Sequence, residues 1–372
     1  MLKIGITGQA GFVGTHLYNA IGLHINEFER IPFNKDFFSD SQKLNEFVSK
    51  CDVIVHLAAM NRHNDPQVIY NTNIDLVKKL IHALEVTSSK AHVLFSSSTQ
   101  EENNNDYGNS KKEGRKLLHE WSIKSGGKFT GLIIPNVFGP FGSPNYNSVI
   151  ATFCHKLSHN EKPTIVNDGE MKLIYVGELV ENILNQIRIG KNEAEILVPY
   201  TSIAKVSEVL YLLEKYKTEY QDKGIIPLIK NKFELNLFNT YRCYMDIKNH
   251  FPVSFIKHTD DRGSFVEIIR LEIGGQVSFS TTVPGITRGN HFHTRKIERF
   301  AVIKGKALIQ LRRIGTDEII NYYLDGDQPS YVDMPIWYTH NIKNIGNEVL
   351  YTNFWINEFY DPNDPDTYFE NV

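Results

Sequence analysis

Cysteine is scarce in this 372-residue chain, and Cys51, Cys154 and Cys243 stand far apart with no CxxC spacing. That excludes a disulfide framework and points to free thiols in a reducing cytoplasm, the expected location. Long hydrophobic runs are missing as well. No stretch approaches the roughly 20 apolar residues that cross a bilayer, so membrane insertion is not expected. The opening MLKIGITGQAGFVG passes from a short apolar start into a glycine turn, without the long core and cleavage site of a signal peptide. Charge of one sign is lacking too: 40 Lys and Arg stand against 43 Asp and Glu, a formal net charge of -3. Nucleic acid and anionic surfaces are therefore not expected as partners. Low-complexity tracts and internal repeats are absent.

What is present is ordinary globular material, 41% hydrophobic and 22% charged, in a chain long enough to favour two cores over one. Up to about residue 245, short β-branched runs alternate with longer amphipathic ones. LKIGIT (2–7), DVIVHLAA (52–59), HVLFSSS (92–98) and FTGLIIP (129–135) read as strands, while TNIDLVKKLIHALE (72–85) and SKKEGRKLLHEWSIK (110–124) read as helices. Such alternation implies right-handed crossovers and a parallel sheet covered on both faces, a doubly wound α/β fold. From about residue 254, short strand candidates follow one another from SFVEIIRL to EVLYTNFWI with glycine turns and no helical period. They imply an antiparallel all-β unit of sandwich or jelly-roll type. The expected domains are 1–245 and 246–372, with 236–255 as the junction.

The first strand candidate runs into Thr7-Gly8-Gln9-Ala10-Gly11-Phe12-Val13-Gly14. Gly8 suits a tight turn, Gly11 lets the backbone approach a pyrophosphate, and Gly14 lets helix and strand pack closely. The helix that begins at Phe12 and Val13 then offers free N–H groups to the phosphates. Downstream, Tyr107-Gly-Asn-Ser-Lys111 places a phenol and an ammonium on one helix face. The cation, with an oxidised nicotinamide nearby, is expected to favour phenolate and so lower a pKa that is ordinarily about 10. Tyr107 can give a proton to a carbonyl oxygen as hydride arrives, and Ser98, ahead of Ser97, can polarise the same carbonyl.

These features resemble the extended short-chain dehydrogenase/reductases, whose fold is of Rossmann type. The resemblance implies that Leu57, Ala58 and Ala59 of HLAA flank the adenine side of a nicotinamide dinucleotide. Asn34 and Lys35, with Arg30 nearby, lean towards a 2′-phosphate and hence NADP, while Glu27 and Glu29 leave NAD open. Pro135-Asn136-Val137-Phe138-Gly139-Pro140 is similar to the NVYGP segment that lines the family's sugar-nucleotide pocket, which makes Asn136 a substrate-binding candidate. The arginines the family often sets near that segment and the later tyrosine–valine pair are replaced here by LIIPN and MKLIYV.

The second half carries Gly285-x5-His291-x-His293-x4-Glu298-x6-Gly305 and Pro335-x4-His340-x3-Asn344. The two segments resemble the paired motifs of cupins, with Trp337 in place of a usual glycine. Residues two apart on a strand face the same way, so His291 and His293 can converge on one ion with Glu298 and His340. Three nitrogens and one oxygen suit zinc first, with iron(II), manganese and nickel also compatible. Four protein ligands fill a tetrahedral zinc, which favours a structural or field-shaping ion. Proton transfer then falls to Lys296, Tyr338 or Tyr360.

Asp260-Asp261-Arg262-Gly263-Ser264-Phe265 and Arg288-Gly289-Asn290-His291 resemble segments of the deoxysugar-nucleotide 3,5-epimerases. The resemblance makes Arg262 and Arg288 substrate-binding candidates. Across its whole length the chain resembles the bifunctional reductase–cupin enzymes of capsular polysaccharide and O-antigen synthesis. That family implies C3 epimerisation of UDP-2-acetamido-2,6-dideoxy-hexos-4-ulose, followed by NADPH-dependent reduction at C4 on the way to UDP-N-acetyl-L-fucosamine. The order follows from chemistry, because the C3 hydrogen is acidic only while C4 is a ketone. A homodimer is expected, since cupins pair through exposed sheet edges. Alternatives are a 4-ketoreductase whose cupin is a 3,4-ketoisomerase or only a dimerisation and stability module, and a cupin dioxygenase.

Overall fold

A computed structural model describes residues 1–261 and 263–372; the substrate-binding candidate Arg262 lies outside the described residues. Two compact units emerge, one of Met1–Ile150 with Asn167–Val206 and the other of Ala151–Val166 with Ser207–Val372. Residue 245 thus marks a change in secondary structure, while the compact units interleave along the chain. Among the described residues, no helix is long and apolar enough to cross a membrane.

The first unit is built on six parallel strands in the spatial order Phe28–Ile31, Leu2–Thr7, Val53–His56, His92–Ser98, Phe129–Ile134, Glu193–Leu197. Strand alternation sends side chains to opposite faces and so fills two separate cores. Ile4, Ile6, Val53, Val55 and Leu94 pack with Leu17, Ile21 and Ile183. Ile54, Val93 and Phe95 pack on the other side with Phe47, Leu80 and Trp121. Each fully buried aliphatic side chain contributes on the order of 1.5–3 kcal/mol. The expected strands 2–7 and 92–98 form as read. DVIVHLAA leaves the sheet after His56, where Leu57 and Ala58 turn to bond with Thr7 and become the wall of a cleft. Asp106–Ser125 is helical because the Asn105 side chain accepts from the Gly108 amide at 2.8 Å and Gly126 closes the far end with φ 71°.

The second unit carries two five-stranded antiparallel sheets, the cupin jelly-roll pattern. One runs Val253–Ser254, Ser330–Met334, Glu298–Lys304, Leu350–Ile356, Gln276–Thr282. The other runs Ile319–Asp325, Lys306–Arg313, Tyr338–Asn344, Thr287–Phe292, Tyr368–Phe369. The stretch read as a junction is in part a helix, Lys232–Arg242, capped by Asn231. It reaches the first sheet through a buried polar seam. Arg299 and Asp333, 3% and 0% exposed, pair at 2.7 Å, and the Tyr220 hydroxyl donates to Asp333 at 2.7 Å. Arg242 donates to the Met334 carbonyl at 2.8 Å. Both buried charges are thus fully engaged, the condition under which a buried ion pair is tolerated.

Candidate active sites

The glycine turn positions one side of a cleft of about 1400 Å3. Gly11 donates to the Gly8 carbonyl at 2.9 Å, and Gly8 sits at φ 76° with no room for a Cβ, which would stand 2.8 Å from the Ala58 nitrogen. A Cβ at Gly14 would collide with the Gly8 carbonyl oxygen. The turn therefore needs glycine at both positions. Gly8, Gly11, Phe12, Val13, Gly14, Asn34, Lys35, Leu57, Ala58 and Ala59 all border this cleft, at the carboxyl ends of adjacent strands. Arg30 does not. Its guanidinium lies 4.6 Å from the Tyr18 ring centre, because the strand Phe28–Ile31 ends before the cleft is reached. Glu27 is likewise drawn off, bonded to Arg188 at 2.8 Å.

Ser96, Ser97, Ser98, Tyr107, Lys111 and Asn136 share the same cleft. The three serines have different commitments. Ser96 donates to the His56 carbonyl, Ser97 donates to the Glu101 carboxylate, and Ser98 accepts from the Gln100 amide at 3.2 Å. An accepting hydroxyl keeps its own proton to give, which singles out Ser98. Lys111, 3% exposed, donates to the Ser96 carbonyl at 2.8 Å and stands 5.8 Å from the Tyr107 ring centre. The Lys111 charge alone does not lower the pKa of Tyr107. Burial pushes it up to about 12, with the Tyr146 phenol adding to the effect. Burial also pushes Lys111 down to about 8, against the pull of Glu101. Desolvation disfavours the charged form of each.

Arg62 and Tyr146 are among the cleft residues that escaped the sequence reading. Arg62 donates to the carbonyls of Asn145 and Tyr146 at 3.0 and 3.1 Å, and both Arg62 and Tyr146 border the cleft. Nothing local in NRHND or PNYNS signals this, since the contact spans more than 80 positions.

In the second unit, ligand atoms of His291, His293, Glu298 and His340 lie within 4.8 Å of one another. His291 sits opposite His340 across two strands, at a register shift beside Asn290, whose φ is 61°. Nε2 of His293 and of His340 lie 3.0 and 3.2 Å from Oε2 of Glu298. All three atoms are buried without a hydrogen-bond partner. Buried polar atoms left so are costly, and a divalent cation among them would satisfy all at once, so the residues present fit the expected metal. Nδ1 of His293 donates to the Asp366 carbonyl at 2.5 Å and Nδ1 of His340 to the Tyr338 carbonyl at 3.1 Å, which turns each Nε2 lone pair inward. Burial and the neighbouring His340 push His291 down to about 4, so it is neutral and able to ligate. Burial works against the Glu298 carboxylate, but His293 and His340 hold it well below the usual range when their Nε2 atoms carry protons in place of an ion.

The three proton-transfer candidates are placed differently. Lys296 is buried with its ammonium on the Pro365 carbonyl at 2.6 Å, and Tyr360 is exposed, its ring centre 5.9 Å from that ammonium. The Tyr338 phenol, pushed up to about 12 by burial, has Cys243, Arg313 and Glu318 among its charged or titratable neighbours. Arg288 is exposed on the strand that leads to His291.

Known proteins share this arrangement. Residues 4–195 match the NAD dependent epimerase/dehydratase family, and residues 258–368 match the polysaccharide biosynthesis C-terminal domain. The chain is 31% identical over 376 residues to UDP-2-acetamido-2,6-beta-L-arabino-hexul-4-ose reductase of Pseudomonas aeruginosa, covering 99% of this chain and 98% of the relative. The crystal structure of capsular polysaccharide assembling protein CapF from Staphylococcus aureus covers 100% of both chains at 36% identity and a TM-score of 0.63. A shorter match, 30% identical over 121 residues, is to the spore coat polysaccharide biosynthesis protein SpsL of Bacillus subtilis, covering 30% of this chain and 80% of that one. The chain therefore belongs to the CapF-type family of bifunctional enzymes, in which an NAD dependent epimerase/dehydratase domain precedes a polysaccharide biosynthesis C-terminal domain.

Proposed function

We propose that this chain inverts C3 of UDP-2-acetamido-2,6-dideoxy-hexos-4-ulose in its cupin part, 246–372, and then reduces C4 in its reductase part, 1–245. The product is UDP-2-acetamido-2,6-dideoxy-L-talose, the precursor of UDP-N-acetyl-L-fucosamine. The observation that carries this reading is the presence in one chain of a Ser98–Tyr107–Lys111 cleft and a buried His291–His293–Glu298–His340 cluster. The relative from Pseudomonas aeruginosa, named for reduction of such a hexul-4-ose, supports the substrate class.

Bound NADPH supplies a hydride, and a bound divalent cation, zinc by its three-nitrogen and one-oxygen donor set, supplies positive charge. The chain's own groups do the rest. The glycine turn and Leu57–Ala59 hold the dinucleotide, with Asn34 and Lys35 towards a 2′-phosphate. Asn136 and the cation Arg62 are assigned to the sugar nucleotide, Arg62 standing in for the absent family arginines. Tyr107 delivers a proton to the C4 oxygen, Ser98 donates a hydrogen bond to it, and Lys111 keeps positive charge behind the phenol. Lys296, Tyr338 and Tyr360 are assigned to C3 proton transfer. Arg262 and Arg288 are assigned to substrate binding in the cupin. We place the protein in the cytoplasm as a homodimer, a reading supported by the exposed Val277 and Phe279 on the sheet-edge strand Gln276–Thr282.

The test is incubation with the UDP-4-keto-sugar in D2O, with and without NADPH. Deuterium at C3 without NADPH, and NADPH oxidation when it is added, are expected. Absence of both sinks the reading, and a ketone found at C3 would instead make the cupin a 3,4-ketoisomerase.

A further inference from the structure

The segment Asp361 to Phe369, DPNDPDTYF, contributes no ligand to the histidine cluster, yet it is built into it. Phe369 and Tyr368 pair along the strand with His291 and Phe292. Asp366 goes further. It is 2% exposed and holds a left-handed φ of 39°, a conformation a non-glycine residue keeps only where its surroundings demand it. Its Oδ1 accepts from the Thr294 amide at 3.0 Å and the Thr294 hydroxyl at 2.6 Å. Its Oδ2 accepts from the amides of Arg295 and Lys296 at 3.0 and 3.1 Å. Three successive N–H groups thus converge on one carboxylate, a nest that favours negative charge.

That nest is the loop joining His293 to Glu298, two residues of the cluster. The main-chain carbonyl of the same Asp366 accepts from His293 Nδ1. The carboxylate therefore clamps the loop while the carbonyl fixes the tautomer and the rotation of the imidazole, leaving Nε2 as the ligating atom. One residue, 73 positions away in sequence, does both.

We propose that Asp366 is a positioning residue that sets the affinity of the His291–His293–Glu298–His340 site for a divalent ion. The inference rests on the metal reading of that cluster and not on the sugar chemistry.

The test uses the full chain stripped of metal and titrated with Co(II), followed by its visible d–d absorption and by chelator competition. Asp366→Asn is nearly isosteric and tolerates the left-handed backbone, but it turns an N–H2 towards the converging N–H groups. Asp366→Gly removes the carboxylate without backbone strain. Both are expected to weaken Co(II) binding about ten-fold or more and to alter the d–d bands. Glu370→Ala, on the same segment, is expected to leave both unchanged. A rise in Kd below about five-fold for the two Asp366 variants, at half the expected loss or less, overturns the proposal, whatever happens to the melting temperature of the stripped protein. A native chain that takes up no Co(II) overturns the metal reading itself, a different result from a native chain and its variants binding alike.

Discussion

The Lys111 ammonium bonds to the Ser96 carbonyl at 2.8 Å and stands 5.8 Å from the centre of the Tyr107 ring, so its fixed partner is the serine-bearing strand. Its charge is kept out of water for the sake of the cleft. Replacement by methionine is expected to lower the rate of ketone reduction by about 10²–10⁴, measured as NADPH oxidation.

The same Lys111→Met variant is expected to be more stable than the native chain. Burial lowers the lysine from 10.5 to about 8, so below pH 8 the folded protein carries a penalty for keeping it charged. Between about 8 and 10.5 the unfolded chain binds more protons, native stability rises with pH, and the penalty disappears. Urea unfolding at pH 7 is expected to favour the variant by on the order of 1–3 kcal/mol, the bond to Ser96 offsetting part of the shift. Near pH 10.5 the difference should vanish. A variant less stable at pH 7 contradicts the burial argument.

Ser98→Ala and Ser97→Ala separate catalysis from support. Loss of the Ser98 hydroxyl is expected to cut kcat about 10²–10³-fold with little change in melting temperature. Ser97 is bound to Glu101, itself bonded to Arg115 at 2.7 and 2.9 Å, so its loss is expected to lower stability by about 1 kcal/mol and spare kcat. The reverse pattern would reassign the serine.

Chelation distinguishes the two sites. Removal of divalent ions is expected to abolish deuterium entry at C3 and lower the melting temperature, because Glu298 and the imidazoles lose their common partner. NADPH oxidation with a ketone already inverted at C3 should continue unchanged.

Arg299→Met leaves Asp333 buried with the Tyr220 hydroxyl as a hydrogen-bond partner and Arg242 as a nearby cation, without its paired guanidinium, and should cost about 3–5 kcal/mol in urea unfolding. Arg299→Met combined with Asp333→Leu should recover most of that loss. Failure to recover would mean that the seam's hydrogen bonds, rather than the unpaired charge, set the cost.

How much of this could be read beforehand depends on the distance over which each signal acts. LKIGIT and HVLFSSS are strands by local β-branched runs, and the turn at Gly8 follows from spacing that only one geometry uses. His291 and His293 were legible because a strand repeats every two positions, while Glu298 and His340 were legible from the resemblance to the paired cupin motifs. Lys232–Arg242 escaped because its buried face mixes Asn236, Asn239, Thr240 and Arg242 with apolar residues, and only its partners in the fold justify that. Asp366 escaped for the same reason: its donors lie 70 to 72 positions away. The effect of burial on Tyr107 was not legible, because helical spacing shows which charges are near but not how dry the site is.

That dryness has a consequence for direction. Burial pushes the Tyr107 phenol up to about 12, so in neutral solution it carries the hydrogen that a new alcohol needs. Running backwards, from alcohol to ketone, would begin with the phenol stripped of that hydrogen, a form scarcely populated in neutral solution. The resting architecture thus begins a cycle ready to make the alcohol, while the ratio of reduced to oxidised cofactor decides which way the traffic runs.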